Sequence, residues 1–162
     1  MTKTTQLQIR VTPAQKARLR QLAGAAGQDV SAYVLGRVLP PEREQFRALL
    51  RTLAREDDHR YALADLHDFL AALAPAQFGD AVASGIPEGL SPLLRNYVAA
   101  MVEHAAMGKE VSAPSWVHAV EPLEHPHSGA PLRSLRLHLL ATSPVAFKRR
   151  NIFVDAAVGD RV

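Results

Sequence analysis

Three polar side chains alternate with apolar ones near the start of the chain, at Gln6, Gln8 and Arg10. A glutamine amide offers one donor and one acceptor to the edge of adenine, and an arginine guanidinium binds two acceptors of guanine at once. Because every second residue of a strand faces the same side, all three would project from one face. Their types and spacing therefore predict a short row of side chains able to recognise the bases of double-stranded DNA.

A second group of side chains has the types that bind metal ions. These residues are His118, Glu121, Glu124, His125 and His127. Imidazole and carboxylate groups are ligands of zinc, but this segment is interrupted by proline and lacks the i, i+4 spacing that places two histidines on one helix face. We therefore interpret the residues as surface side chains and predict no metal site and no cofactor.

No other pattern in the sequence indicates catalysis. The chain has no cysteine, which excludes thiolate nucleophiles, disulfides and cysteine metal sites. It also lacks a glycine-rich phosphate loop and a nucleophile elbow. Asp57, Asp58 and His59 stand together, but they fit a junction between two helices better than a catalytic group. The sequence therefore predicts a protein that is not an enzyme.

The elements that position the three polar side chains are a strand and two helices. Strict alternation of polar and apolar residues over 6–11 predicts a strand with one apolar face. Thr12 suits the cap of a first helix, and Gly27 is placed to end it. Asp29 suits the cap of a second helix, which the proline at Pro40 ends.

A single strand and two helices enclose too little apolar surface to fold alone. If two chains pair their strands antiparallel, the apolar strand face is covered by the four helices and the polar face points outward. The sequence therefore predicts a two-fold dimer. The predicted dimer core consists of Leu7, Ile9, Val11, Leu22 and Val34.

In this order and spacing of elements, residues 5–39 resemble the ribbon-helix-helix DNA-binding family of the Arc, MetJ and CopG type. The resemblance implies that paired strands enter the major groove and that the three polar strand residues contact the bases. It also implies that amides at the start of the second helix hold a phosphate, which places Ser31 in the interface. Asp29 is compatible with that phosphate only if its carboxylate turns back as a cap. Lys3 precedes the strand and is expected to contact backbone phosphates only.

Residues 41–162 are predicted to form a separate, mainly helical domain. Three stretches with apolar residues at helical spacing predict amphipathic helices, at residues 46–54, 63–73 and 94–102. Four prolines in residues 111–131 predict an ordered loop, residues 132–142 predict a helix, and residues 147–154 predict a short basic strand or arm. The predicted fold is therefore mostly α-helical, with an N-terminal ribbon-helix-helix module at residues 1–40 and this helical domain after it.

The net charge of +3 is the sum of three unlike segments. Residues 1–40 carry +5, residues 41–130 carry −6 and residues 131–162 carry +4. A basic N-terminal module suits DNA, and an acidic middle segment suits a basic protein partner. The family resemblance further implies an antitoxin, in which the C-terminal part masks a toxin and the dimer represses the operon. The predicted function is therefore a dimeric, sequence-specific transcriptional repressor that is the antitoxin of a toxin–antitoxin pair.

The alternative function is a stand-alone ribbon-helix-helix regulator whose C-terminal domain senses a ligand or builds higher oligomers. In the antitoxin, residues 147–154 are expected to add a strand to the edge of a partner's sheet. No stretch approaches the roughly 20 apolar residues that span a bilayer, and the polar start lacks the apolar core of a signal peptide. The expected location is the cytoplasm, without membrane contact. The expected partners are operator DNA, a second copy of the chain and a cognate toxin.

Overall fold

The computed structural model describes residues 8–38, 41–55, 58–129 and 133–155 of the chain. Contacts between residues divide the chain into two compact units, Met1–Pro40 and Pro41–Val162. We call them the N-terminal unit and the C-terminal unit. Both are built from helices, and the C-terminal unit holds nearly all of the buried apolar side chains.

The described part of the N-terminal unit contains two helices, α1 (Pro13–Ala25) and α2 (Val30–Val38). Thr12 caps α1 as the sequence predicts. The chain turns between the helices at Gly27, whose φ of +64° suits glycine because it has no Cβ atom. Both predicted helices of this unit are therefore confirmed.

The predicted N-terminal strand is wrong for the residues that can be compared. Residues 8–12 form no strand and lead directly into α1, whereas Gln6 and Leu7 lie outside the described residues. A strand requires a neighbouring segment that exchanges backbone hydrogen bonds with it. Within the described residues, the one sheet lies in the C-terminal unit and offers residues 8–12 no such partner. The described N-terminal unit is therefore a pair of helices, and the ribbon-helix-helix fold predicted for it is corrected accordingly.

The C-terminal unit contains seven α-helices among its described residues. Its longest helices, α3 (Pro41–Arg55), α4 (His59–Ala72) and α6 (Pro92–Gly108), cover the three stretches in which apolar spacing predicts a helix. Those predictions are confirmed, as is the prediction of a helix within residues 132–142. The remaining helices are α5 (Pro75–Val82), α7 (Ser115–Ala119), α8 (Arg136–Thr142), which follows a 3₁₀ turn at Arg133–Leu135, and α9 (Val145–Lys148).

The core of the C-terminal unit surrounds α6. Val98, Ala99 and Val102 of this helix have no exposed surface, because α4, α7 and α9 all pack on it. The apolar faces of α3 and α4 pack against each other, with the rings of Phe46 and Phe69 stacked 6.1 Å apart. Among the helices described, none is both long and apolar enough to cross a bilayer.

Three short helices of this unit, α5, α7 and α9, are not predicted from the sequence. Pro75 marks the end of the predicted helix over 63–73, but it also occupies the first position of α5, where its fixed φ and missing N–H favour a helix start. The loop predicted for residues 111–131 contains α7 and a strand, β1 (His127–Ser128). Elements this short contain too few apolar repeats to show a period.

The predicted terminal arm is instead a packed part of the C-terminal unit. Residues 147–154 comprise the end of α9 and the strand β2 (Ile152–Phe153), which pairs in parallel with β1. Ile152 and Val154 are buried in the core. The Ser143 hydroxyl donates to the Val154 carbonyl at 2.7 Å and accepts from the Val154 amide at 2.9 Å. The predicted short strand is therefore confirmed at Ile152–Phe153, whereas the alternative of a free arm is wrong, because the apolar side chains of this segment already fill the core.

Candidate functional site

The residues predicted to contact DNA lie, where they are described, on the surface of the N-terminal unit. Gln8 and Arg10 precede α1 and are exposed, and Ser31 is exposed in the first turn of α2. Lys3 and Gln6 lie outside the described residues. The three described members are therefore exposed to solvent.

The start of α1 orients the chain that carries Arg10. The Thr12 hydroxyl accepts a hydrogen bond from the Gln15 amide at 3.3 Å, and the Gln15 side chain accepts one from the Thr12 amide at 2.9 Å. This reciprocal pair is a capping box, and Pro13 follows it at the first helical position. The capping box begins at Thr12, two residues after Arg10. It therefore defines the direction in which the chain that carries Arg10 enters α1.

At the start of α2 the Asp29 carboxylate is turned back as a cap. Its Oδ1 atom accepts a hydrogen bond from the Ala32 amide at 2.9 Å. The carboxylate is therefore paired with its own helix, which is the condition under which a phosphate can approach this end. Val30 and Ser31 occupy the first two helical positions, where backbone amides have no acceptor within the helix. The contact between Ser31 and a phosphate stays a prediction.

The N-terminal unit buries very little apolar surface. Within residues 8–38 the one buried residue is Ala23. Ile9 is 65 % and Val38 is 64 % exposed, and Val11 and Leu35 are also exposed. These large apolar side chains remain in contact with water, and covering them with another surface would lower the free energy.

The exposed apolar side chains include part of the predicted dimer core. Ile9 and Val11 are among them, and Leu22 and Val34 are half-buried. Leu7 lies outside the described residues. A single chain leaves this set largely uncovered, which is the situation in which a second copy stabilises a small fold. The dimer itself stays a prediction.

Positive charge predominates on the N-terminal unit. Its described residues carry five basic side chains and one acidic side chain, which gives a net charge of +4. The five basic residues, all exposed, are Arg10, Lys16, Arg18, Arg20 and Arg37. The Arg37 guanidinium lies over the Tyr33 ring, 5.6 Å from its centre. Positive charge of this density attracts the phosphate backbone of nucleic acids without regard to sequence.

The C-terminal unit holds a buried ion-pair network. Glu103 on α6 and Arg150 after α9 are each 5 % exposed. Glu103 Oε2 lies 3.3 Å from Arg150 Nη2, and Glu103 Oε1 lies 2.9 Å from Nη1 of the exposed Arg149. Arg150 also donates to the carbonyls of Val117 at 2.7 Å and Val120 at 3.2 Å. The network therefore connects α6 with α7 and with the chain after α9.

The sequence does not reveal this network, because Arg150 stands among the basic residues that give residues 131–162 their net positive charge. The burial of Arg150 means that its charge is used inside the fold and is not offered to a partner. The one sequence signal that could have revealed the pair is Glu103, a carboxylate that directly follows the apolar stripe over 94–102. An acidic residue beside such a stripe is held in the interior only when a cation pairs with it.

An acidic groove lies between α3, α4 and α5 and has a volume of about 540 Å³. Its polar lining residues are Glu42, Gln45, Asp65, Asp68 and Gln77. Its apolar lining includes the buried side chains of Phe69 and Leu73 and the half-buried Leu49. Gln77 Nε2 donates to Glu42 Oε1 at 3.0 Å, which joins α5 to α3 at this groove.

A smaller cavity of about 230 Å³ lies between α4, α6 and α9. Its lining includes His67, Leu70, Met101, His104, Lys109 and Phe147. Lys109 Nζ donates to the Ala71 carbonyl at 2.8 Å. His67 Nδ1 is buried without a hydrogen-bond partner and lies 3.9 Å from Asp68 Oδ1. The cavity thus offers polar groups of two imidazoles and one ammonium beside an apolar surface.

Two side chains of the C-terminal unit have shifted pKa values. The hydrogen bond from the Arg60 side chain, assisted by the Arg60 amide, lowers the pKa of Asp58 to about 2. Burial raises the pKa of Tyr97 to about 12, and its ring packs edge-on against Phe147 at 5.4 Å. Neither residue lines the groove or the cavity. The lowered pKa of Asp58 therefore reflects its position as the N-cap of α4. The raised pKa of Tyr97 reflects its packing on α6.

The histidine-rich segment is spread along the surface in the described part of the chain. His118 lies near the end of α7 and His127 lies in β1. Glu121, Glu124 and His125 are exposed between them. Over the described ranges, no group of three or more histidine, aspartate or glutamate side chains is placed to hold a metal ion.

The N-terminal unit, the acidic groove and the smaller cavity are therefore the candidate sites of this protein. Comparison with protein-family models, curated proteins and solved structures finds no match to the chain. The functional proposal rests on the charge, exposure and packing of the residues described above.

Proposed function

We propose that this protein is a DNA-binding transcriptional regulator that acts as a dimer or a higher even oligomer through its N-terminal unit. The observation that carries the proposal is the combination, in residues 8–38, of a net charge of +4 with apolar side chains that the unit cannot bury by itself. The charge suits the phosphate backbone, and the apolar side chains suit a second copy of the unit. Two copies would double the charge offered to the duplex.

Exposure keeps the described residues of the predicted DNA contact set as candidates, although residues 8–12 form no strand. Gln8 and Arg10 are exposed and have the donors and acceptors that match base edges in the major groove. Lys3, Gln6 and Ser31 complete the proposed set, with Lys3 and Ser31 at phosphates.

For the C-terminal unit we propose binding of a second protein, as in an antitoxin whose partner is a basic toxin. The acidic groove supports this role because its carboxylates and apolar surface offer two kinds of contact to such a partner. The regulator would then repress its own operon and mask the toxin with separate units. Native purification followed by mass analysis tests this role, and a second protein in fixed stoichiometry is the expected result.

A second candidate role for the C-terminal unit is the sensing of a small molecule. The cavity between α4, α6 and α9 favours it, because a volume of about 230 Å³ exceeds the roughly 150 Å³ in which an engineered cavity binds benzene. The same native purification distinguishes the two roles. A bound small molecule without a second protein would favour sensing and contradict the antitoxin.

The experiment that tests DNA binding is selection of duplexes from a random pool by the full chain, followed by sequencing of the retained DNA. The expected result is one enriched site with two related half-sites, because an even oligomer presents the same surface twice. Retained DNA that shows the same sequence distribution as the input pool would contradict the proposal.

A further inference from the structure

Helix α8 carries large apolar side chains that the C-terminal unit does not cover. Leu137 is 78 % exposed and Leu140 is 48 % exposed. They are three residues apart and are therefore neighbours on the helix surface, whereas Leu139 supplies the buried side of α8. Val145 of α9 is a third such side chain and is 50 % exposed. Burial of these side chains by another molecule would lower the free energy.

Two cations lie at opposite ends of α8. Arg136 occupies its first position and is exposed, and its guanidinium has no partner among the described residues. Near the other end, Lys148 Nζ donates to the Ala141 carbonyl at 2.8 Å. A carbonyl is neutral, so this ammonium keeps its charge. Val145 and Lys148 are three residues apart on α9, so this hydrogen bond also brings Val145 close to α8.

These five side chains form one basic and apolar surface, which we call the α8 surface. It consists of Arg136, Leu137, Leu140, Val145 and Lys148. Arg149 follows Lys148 but is not part of the surface, because its charge is paired with Glu103. Residues 133–154 include no aspartate or glutamate. The α8 surface therefore offers exposed carbon between two cations that no neighbour in this segment neutralises.

Charge and the amount of exposed carbon decide which class of macromolecule fits the α8 surface. Its three aliphatic side chains hold less hydrocarbon than one myristoyl chain, which by itself binds a membrane only marginally. A nucleic acid would bring phosphates to the two cations but little apolar surface to the leucines. Two copies packed through this surface about a two-fold axis would bring like charges together. An amphipathic helix with acidic residues matches both the cations and the apolar side chains.

We propose that the α8 surface is the docking site for an acidic amphipathic helix of another protein. The apolar side chains of that helix would cover Leu137 and Leu140, and its carboxylates would meet Arg136 and Lys148. A guanidinium can bind a carboxylate through two parallel hydrogen bonds, which fixes orientation as well as charge. The inference goes beyond the roles proposed above, because this partner has the opposite charge to a basic toxin and the surface belongs entirely to α8 and α9.

The test is selection of peptides a few helical turns long from a random displayed library by the full chain. The library is first cleared on the Leu137→Gln variant, which removes peptides that bind elsewhere, including those held by the basic N-terminal unit. Glutamine is a good helix former, and position 137 is exposed, so the variant should keep its fold. Peptides then retained by the unaltered chain should carry aspartate or glutamate beside apolar residues at helical spacing.

The affinity of these peptides should depend on both kinds of contact. It should fall about tenfold in Leu137→Gln, because the burial of one leucine is lost. It should fall about twofold to fivefold in Arg136→Gln, because one exposed charge pair is lost. Added salt should also weaken binding, since exposed charges are screened. The matched control is Arg51→Gln, which removes the charge of an exposed arginine on α3 and should leave the affinity unchanged.

Three results of the selection would overturn the proposal. They are the absence of any retained peptide after clearing, retained peptides without acidic residues, and equal affinity of the Arg136→Gln and Arg51→Gln variants. A fourth contrary result is binding to vesicles of equal parts phosphatidylserine and phosphatidylcholine by the unaltered chain but not by Leu137→Gln. That result would assign the α8 surface to lipid.

Discussion

Glu103 on α6 and Arg150 after α9 form an ion pair inside the C-terminal unit, with 3.3 Å between Oε2 and Nη2. The same guanidinium donates to the carbonyls of Val117 and Val120. A charge in the interior is tolerated only when opposite charge and hydrogen bonds satisfy it. This pair therefore makes the chain after α9 a part of the fold, although its sequence suggests a basic arm.

Removal of Arg150 should strongly destabilise the C-terminal unit. Arg150→Met keeps the length of the side chain but leaves the buried Glu103 with the exposed Arg149 alone, and it leaves two carbonyls without this donor. We expect the free energy of unfolding to fall by about 3–5 kcal/mol in urea denaturation. Arg149→Met is the control, because its side chain is 64 % exposed and such pairs contribute about 0–1 kcal/mol. Equal losses for the two variants would contradict this account.

Asp58 at the start of α4 should titrate well below an ordinary aspartate. The hydrogen bonds from Arg60 favour the carboxylate and lower the pKa of Asp58 from 3.8 to about 2. The stability that this group contributes is therefore present above about pH 4 and is lost as the pH falls through 2. The measurement is an NMR titration of the Asp58 carboxyl carbon, with a midpoint near 2 expected. In Arg60→Met the midpoint should return towards 3.8, and an unchanged midpoint would count against the assigned cause.

Local signals predict the helices of this protein where they are long or capped. Thr12 and Asp29 cap α1 and α2 as their residue types indicate, because their side chains bond to amides within three residues. The apolar spacing of Phe46 and Leu50 predicts α3 for a similar reason, since burial of one face repeats every turn. Caps and apolar spacing both involve residues that are close together in the sequence, so they can be predicted from the sequence alone.

The elements that were mispredicted depend on partners distant in sequence. Alternation over residues 6–11 indicates a strand, but no described segment of one chain pairs with residues 8–12. Arg150 belongs to the interior because Glu103 lies 47 residues earlier, a relationship that spacing cannot display. The residues that line the acidic groove come from three helices that are separate in the sequence. The sequence therefore shows the net negative charge of residues 41–130 but not which acidic side chains share one surface.

Self-association should depend on the apolar surface of the N-terminal unit. Ile9→Asp should hardly affect an isolated chain, because Ile9 is 65 % exposed there. In an associated form it would bury a charge, which costs several kcal/mol when unpaired. Light scattering should therefore show the unaltered protein at twice the chain mass or more, and the variant at the mass of one chain. Leu137→Asp, at an exposed apolar residue of α8, is the control that should leave the mass unchanged.

Arg10 should contribute to the choice of DNA sequence and not only to affinity. Arg10→Ala removes a guanidinium that can bind guanine at two atoms, so binding of the selected duplex should weaken by about 1–3 kcal/mol and one position of each half-site should tolerate other bases. Arg51→Ala removes the same charge from the exposed side of α3 and should change neither property. Equal loss of affinity for selected and scrambled duplexes would show that Arg10 acts only as an electrostatic anchor.

The number of chains on one DNA site tests the central proposal most directly. Native mass spectrometry of the full chain with its selected duplex gives this number without assumptions about shape. An N-terminal unit that must cover its apolar side chains with a second copy predicts two chains, or a higher even number, on each duplex. A complex of one chain per duplex, or the absence of any complex at concentrations where the protein is folded, would contradict it.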